Sequence, residues 1–166
     1  MLTSTFSHKE LVHFAFNNIA LISFGTAIAS AMGPEQFTAF YLTAGVFSSF
    51  ASQAFARVFP TLLIPSLGAS GAVYGVVGAT MLLYPNAPLA IIFIPFVSFP
   101  ISVLFPAMMG FDLIGLIRRW KGINHVAHLA GGLFGLAYIM WGKDVWTKLV
   151  QFQSARHAKK NAGRLN

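Results

Sequence analysis

The chain has 166 residues, of which 56% are apolar and 9% are charged. Soluble domains carry charges on about a quarter of their residues, so this composition excludes an ordinary soluble domain and predicts that most of the chain faces lipid. The absence of cysteine excludes disulfides, thiolate metal sites and a cysteine nucleophile. The formal net charge of +7 comes largely from cations that flank apolar segments, which favours the membrane surface over nucleic acid as their neighbour.

The apolar segments predict about five membrane-spanning helices, since one span needs about 20 apolar residues. The first covers Leu11–Met32 and the second covers residues 37–56. The third, residues 70–83, is followed by Tyr84-Pro85-Asn86 and is short for a full span. Such a short helix fits a segment that begins inside the membrane, beside a cavity lined by protein.

Residues 89–117 are too long for one helix and contain three prolines. We expect an extended, partly inserted piece over residues 89–96 and the fourth span over residues 99–117. The fifth span covers residues 123–141, with Trp141 and Trp146 at the membrane interface.

The C-terminal segment, by contrast, is basic and predicts a solvated, loosely ordered tail. The expected organisation is an all-α polytopic membrane core over residues 1–146 and a basic tail over residues 147–166. The cations divide between the two sides of the predicted spans, so the positive-inside rule assigns no orientation.

Polar side chains inside the predicted spans are costly in a bilayer and are therefore candidates for function. His13 and Asn17 lie four residues apart and share one face of the first helix. Ser70 begins the third helix, and His128 lies near the start of the last. Each has an ordinary alternative, because a serine at a helix start is usually an N-cap and a single histidine in the membrane usually bonds a carbonyl.

Together these residues meet the needs of a serine hydrolase. A serine hydroxyl is a weak nucleophile until a base takes its proton, and a neutral imidazole suits that task. The amide of Ser70, with the side chains of His13 and Asn17, would supply donors to a developing oxyanion. Asp112 could in principle orient His128 as a third member. Because basic residues follow it closely, we expect Asp112 instead to pair with a cation at the membrane interface.

Small residues recur every four positions on the third and the last predicted helices. Stripes of this kind let two helix backbones approach closely, so we expect the helices that carry Ser70 and His128 to pack together. Tyr74 follows Ser70 by one turn and would either stack on the His128 ring or serve as an ordinary packing aromatic. The glycines of the two stripes are Gly71, Gly75, Gly131 and Gly135.

The sequence around Ser70, the His13-x-x-x-Asn17 pair and His125-x-x-His128 with its following glycines resemble the signature of rhomboid intramembrane serine proteases. The resemblance covers residues 1–146 and is closest to the mitochondrial, presenilin-associated rhomboid-like branch. STFSH at residues 4–8, GPEQF at residues 33–37 and LAIIFIP at residues 89–95 carry that second likeness. It implies a rhomboid-like helical bundle with about five of six core helices, because the chain starts just before the helix that carries His13.

The resemblance implies that Ser70 is the nucleophile and His128 the general base of a dyad without an acidic member. His13 and Asn17 would belong to the oxyanion site, and Tyr74 would stack on the histidine. It further implies that transmembrane segments of single-pass proteins are cleaved in the mitochondrial inner membrane, with no cofactor and no metal. The oligomeric state stays open.

Three other functions compete with this interpretation. A metal-dependent intramembrane protease would use a His-Glu-x-x-His helix, which this sequence lacks. A proteolytically inactive rhomboid-like protein that binds transmembrane clients is the main alternative, since a core helix is expected to be missing. The presence of both Ser70 and His128 favours the enzyme. A transporter or channel subunit would also use glycine stripes, and it predicts an unreactive Ser70.

Overall fold

The computed structural model describes residues 11–60, 69–90 and 98–162, and most of these residues are helical. In chain order the elements are α1 (Leu11–Met32), α2 (Pro34–Val58), α3 (Ser70–Leu83), β1 (Pro88–Ala90), β2 (Ser98–Pro100), α4 (Ile101–Ile117), α5 (His125–Ala137), a π-helical turn (Tyr138–Gly142) and α6 (Lys143–Ala162). The two strands pair antiparallel, with Leu89 opposite Phe99.

Local sequence signals explain where several helices begin and end. Gly33 has a φ of 87° and separates α1 from α2, and Pro34 then occupies the first position of α2. α3 ends just before Tyr84, which precedes a proline and so disfavours helical backbone. Asn124 caps α5 by accepting a hydrogen bond from the Ala127 amide at 3.1 Å.

Helix α3 lies at the centre of the bundle and contacts α1, α2, α4 and α5. Its approach to α5 is unusually close. A Cβ atom at Gly131 would overlap the carbonyl of Gly71, and one at Gly135 would overlap the carbonyl of Gly75. The glycines of the two stripes therefore face each other, backbone against backbone.

The outer surface of the bundle differs from that of a soluble protein. Large apolar side chains lie outside on several helices, for example Leu11 at 81% exposure, Ile117 at 69% and Leu133 at 58%. The interior contains an apolar core, and polar side chains are buried beside it, namely Asn17, Gln36, Ser48, Ser49, Ser52, Thr80, Asp112 and His125. An apolar exterior together with buried polar side chains fits a bundle surrounded by lipid.

The helices also differ in length and in mean hydropathy. In the described part of the chain, α1 is the one helix with both the length and the apolar character of a complete span, with 22 residues and a mean hydropathy of 1.5. Helices α3 and α4 are also apolar and have 14 and 17 residues.

The predicted bounds agree with the structure for the first and third helices. The second helix extends a few residues further at both ends, and the fourth begins at Ile101 and keeps Pro106 inside it. The extended piece expected over residues 89–96 begins as strand β1, whereas residues 91–97 lie outside the described ranges.

The prediction of a loosely ordered tail after Trp146 is wrong for residues 147–162. The backbone continues helically from α5 through the π-helical turn into α6, which ends at Ala162. No glycine or proline interrupts α6, and its Lys, Leu, Gln, Ala and Arg residues favour a helix. A helix that continues an existing one also avoids the cost of nucleation. Its side chains are mostly exposed, as expected for a solvated segment.

Candidate active site

Ser70 is the first residue of α3, where the backbone amides of the first turn have no partner within the helix. Its side chain is half-buried. The next residue fixes the start of the helix, because a Cβ atom at Gly71 would overlap the Ser48 hydroxyl on α2. The same Cβ would lie 3.2 Å from the Ala127 carbonyl oxygen on α5. The nucleophile candidate is thus held where three helices meet.

His128 brings its imidazole to this serine from the first turns of α5. Its Nε2 atom lies 3.1 Å from the Ser70 hydroxyl oxygen. The start of α5 is anchored by Asn124, whose side chain is joined to that of Ser52 on α2 by contacts of 3.0 and 2.9 Å. The structure therefore brings together the two residues that the sequence analysis placed at the ends of two helices.

Tyr74 covers one face of the His128 ring. The two ring centroids lie 4.2 Å apart and the planes are inclined by 13°, so the rings are stacked. The hydroxyl of Tyr74 also interacts with Asp112. Stacking of this kind restricts rotation of the imidazole and keeps Nε2 directed at Ser70.

Asp112 lies on the other side of His128, and the expectation that it pairs with a cation at the membrane interface is wrong. Its side chain is fully buried and contacts the rings of two histidines. His128 Nδ1 lies 3.1 and 3.3 Å from its two carboxylate oxygens, and His125 Nδ1 lies 2.6 Å from one of them. The reason is the rotation of α4, which turns position 112 towards α5 rather than towards Arg118.

Sequence reasoning missed His125 as a site residue and treated it only as part of a motif. It lies one turn before His128 on α5, so both rings reach the same carboxylate. The available signal was the spacing of two histidines three residues apart, together with a single carboxylate in an otherwise uncharged helix. Among the described residues, no group of three or more His, Asp or Glu side chains is arranged to hold a metal ion.

His13 and Asn17 lie on α1, which contacts α3. His13 is half-buried, whereas Asn17 is buried and its Nδ2 atom has no hydrogen-bond partner. A buried amide donor without a partner is costly and is available to a ligand. The assignment of both side chains to an oxyanion site stays a prediction.

The fold and the site together define a helical membrane protein with a serine and a histidine in hydrogen-bond contact between its helices. Residues 1–143 match the model of the Rhomboid domain, and the chain belongs to the rhomboid family. The resemblance seen in the sequence motifs is thereby confirmed at the level of the family.

Individual relatives support the same assignment. The chain is 45% identical over 147 residues to presenilin-associated rhomboid-like protein, mitochondrial, of Rattus norvegicus. The matched residues are 88% of this chain and 39% of the relative. It is 34% identical over 139 residues to Rhomboid protein 1, mitochondrial, of Saccharomyces cerevisiae, covering 83% and 40%. It is 34% identical over 137 residues to Rhomboid protease GluP of Bacillus subtilis, covering 82% and 25%.

The lengths also differ. The chain spans about two fifths of the length of these mitochondrial relatives. No solved structure matches the chain significantly.

Proposed function

We propose that this chain forms the catalytic core of an intramembrane serine endopeptidase that cleaves transmembrane segments through an acyl-enzyme. The observation that carries this proposal is the 3.1 Å contact between His128 Nε2 and the Ser70 hydroxyl, at the meeting point of closely packed helices. Membership of the rhomboid family and the name of the bacterial relative, a rhomboid protease, support it.

The chemistry follows from the two side chains. His128 Nε2 accepts the hydroxyl proton as the Ser70 oxygen attacks the substrate carbonyl carbon and a tetrahedral intermediate forms. The C–N bond then breaks, and the imidazolium gives its proton to the leaving amine. Water enters next, gives one proton to His128 Nε2 and attacks the ester carbonyl. The serine oxygen leaves and recovers its proton from His128, which restores the starting state.

The oxyanion needs donors that are in place before the reaction. The Ser70 amide at the start of α3 supplies one, and the positive end of the helix dipole lies there as well. The unpaired Asn17 Nδ2 and the His13 ring are the proposed side-chain donors. Their placement on α1, which packs against α3, supports this role.

The substrates that fit such a site are single-pass membrane proteins. A peptide bond inside a helix is protected by the hydrogen bonds of that helix, so the cleaved segment should carry glycine, proline or other helix-weakening residues.

We place the protein in the mitochondrial inner membrane, which is supported by the names of the rat and yeast relatives. Fractionation of cells that express the tagged full-length protein tests this, and accumulation in another membrane contradicts it.

The test of the activity is cleavage of a single-pass reporter protein in liposomes. We expect both Ser70→Ala and His128→Ala to abolish cleavage, because an unassisted hydroxyl is nearly inert. Ser154→Ala and His157→Ala, two exposed positions on α6, are the matched controls and should cleave like the wild type. Cleavage that survives either site substitution contradicts the proposed mechanism.

A second candidate is an inactive rhomboid-like protein that binds transmembrane clients. The observation in its favour is that the rat relative is named a rhomboid-like protein, whereas the bacterial relative is named a rhomboid protease. This candidate predicts that clients bind equally to the wild type and to Ser70→Ala, and that neither chain cleaves them.

A further inference from the structure

We propose that His125 and Asp112 are positioning residues for His128. His125 fixes the orientation of the Asp112 carboxylate, and this carboxylate fixes the orientation of the His128 ring. The contacts form a continuous chain behind Ser70. His128 Nε2 lies 3.1 Å from the serine oxygen, His128 Nδ1 lies 3.1 Å from Asp112 Oδ1, and His125 Nδ1 lies 2.6 Å from the same oxygen. This role rests on the proposed function for its kinetic consequences only.

The contacts specify where the protons of the two rings reside. His128 Nε2 must be unprotonated to take the proton of Ser70, so the neutral ring carries its proton on Nδ1. That N–H donates to Asp112. An ionised carboxylate can only accept, so His125 also donates from its Nδ1. The carboxylate thus selects the one tautomer of His128 that can act as the base.

Burial makes partners other than His128 necessary for the carboxylate, and His125 is one of them beside the Tyr74 hydroxyl. Asp112 is 0% exposed within a helix of a membrane bundle, where an isolated charge is strongly unfavourable. His128 gains and loses a proton at every turnover, whereas His125 contacts neither the serine nor the leaving group. His125 can therefore keep the carboxylate in one orientation throughout the reaction.

The packing around His125 fits this single task. The ring is 3% exposed, and its Nε2 atom has no hydrogen-bond partner, which is a costly arrangement for a buried nitrogen. A Cβ atom at Gly115 would overlap the ring, and Phe111 and Trp120 pack against it edge-on. In the described part of the chain, the polar contact of His125 is therefore the one from Nδ1 to Asp112.

Cleavage kinetics in liposomes provide the first test. Asp112→Asn preserves size but offers an amide donor to His128 and so favours the wrong tautomer. We expect kcat to fall about 10²- to 10⁴-fold with little change in KM. His125→Phe removes the donor and should lower kcat about 10- to 100-fold. His125→Asn places an amide donor near the position of Nδ1 and should recover part of that loss. Asp144→Asn and His157→Asn, exposed on α6, are the matched controls.

The outcomes separate this role from the proposed function. If Ser70→Ala abolishes cleavage while Asp112→Asn retains wild-type kcat, the positioning role is wrong and the protease assignment stands. Equal loss in His125→Phe and His125→Asn also overturns it, because a purely structural ring would not be rescued by a smaller amide donor.

A second measurement needs neither a variant enzyme nor activity. Nitrogen-15 NMR of labelled histidines in the wild-type chain, in detergent micelles, reports which ring nitrogen carries the proton. We expect Nδ1 to be protonated in both His125 and His128. The Nδ1 proton of His125 should resonate far downfield, as suits its 2.6 Å contact with a carboxylate. A neutral His128 with its proton on Nε2 overturns the positioning role, even if the chain cleaves nothing.

Discussion

The geometry of the His128 ring depends on two neighbours that act in different ways. Asp112 contacts its Nδ1 edge, and Tyr74 covers its face. The first contact selects a tautomer, whereas the second restricts rotation. The proposed base is thus supported by side chains that need not touch a substrate.

The stacking of Tyr74 on His128 predicts how substitutions of Tyr74 change kcat. Tyr74→Ala should lower kcat about 3- to 10-fold, because an aromatic contact contributes about 0.5–1.5 kcal/mol and each 1.36 kcal/mol corresponds to a tenfold change in rate. Tyr74→Phe keeps the stack and loses only the hydroxyl contact with Asp112, so its loss should be smaller. Tyr84→Ala, an exposed tyrosine just after α3, serves as the control in the same liposome assay. A larger loss in Tyr74→Phe than in Tyr74→Ala contradicts a stacking role.

Alanine substitutions at two adjacent asparagines, Asn17 and Asn18, test the proposed oxyanion donors. Asn17→Ala should lower kcat about 10²- to 10³-fold, the usual loss when one oxyanion donor is removed. Asn18→Ala is the matched control, since the Asn18 amide donates to the Phe14 carbonyl at 2.8 Å within α1. His13→Ala should behave like Asn17→Ala. Wild-type kcat in Asn17→Ala means that the buried amide has another purpose.

Reasoning from the sequence expected Ser70 and His128 to lie together, as they do in the structure, but it misjudged the surroundings of Asp112. The difference lies in how much each inference depends on helix rotation. A serine at a helix start and a histidine near another are located by their positions along the chain. The direction of Asp112 depends on the rotation of α4 about its own axis. Helix α4 has apolar residues on all sides and Asp112 as its one charged residue, so no periodic pattern in the sequence encodes that rotation.

At the scale of elements, the contact between α3 and α5 determines the distance between nucleophile and base. The two helices meet through glycine backbone, so neither can shift without changing the separation of Ser70 and His128. Helices α1 and α2 pack beside α3 and α5. Helix α2 supports the start of α5 through Ser52, and α1 carries the proposed oxyanion donors.

One methyl group added at Gly131 tests the close contact between α3 and α5. Gly131→Ala places a Cβ against the Gly71 carbonyl, and since backbone cannot rotate away, the helices must separate. We expect a loss of stability of about 1–3 kcal/mol, measured by thermal unfolding in micelles, together with loss of cleavage. Gly110→Ala on α4 has open space around its Cβ position and is the control. It should be neutral or slightly stabilising, because alanine favours helices by up to about 1 kcal/mol. Equal behaviour of the two variants contradicts the close contact.

Helix ends were predictable where the sequence contains a local signal, as at Gly33-Pro34 and at Pro85. The helical course of residues 147–162 was not, because a high content of charge suggested disorder and concealed good helix propensity. The deciding factor is continuity with α5, which removes the nucleation cost for a segment that would be marginal alone.

At the scale of the whole molecule, an apolar exterior with polar side chains buried inside fits a site enclosed by protein within the membrane. Exposed apolar side chains on α1 include Leu11 at 81% and Ile22 at 68%. Lipid or a further helix can cover such a face.

Covalent labelling of Ser70 by a small fluorophosphonate tests whether the 166 residues alone hold a reactive site. We expect labelling that disappears in both Ser70→Ala and His128→Ala, because an unassisted hydroxyl is nearly inert. The chain fused to the sequence of the rat relative outside the matched region provides a comparison. Labelling that survives either substitution contradicts the activation of Ser70 by His128. If neither form is labelled, the inactive, client-binding protein becomes the better account of this rhomboid chain.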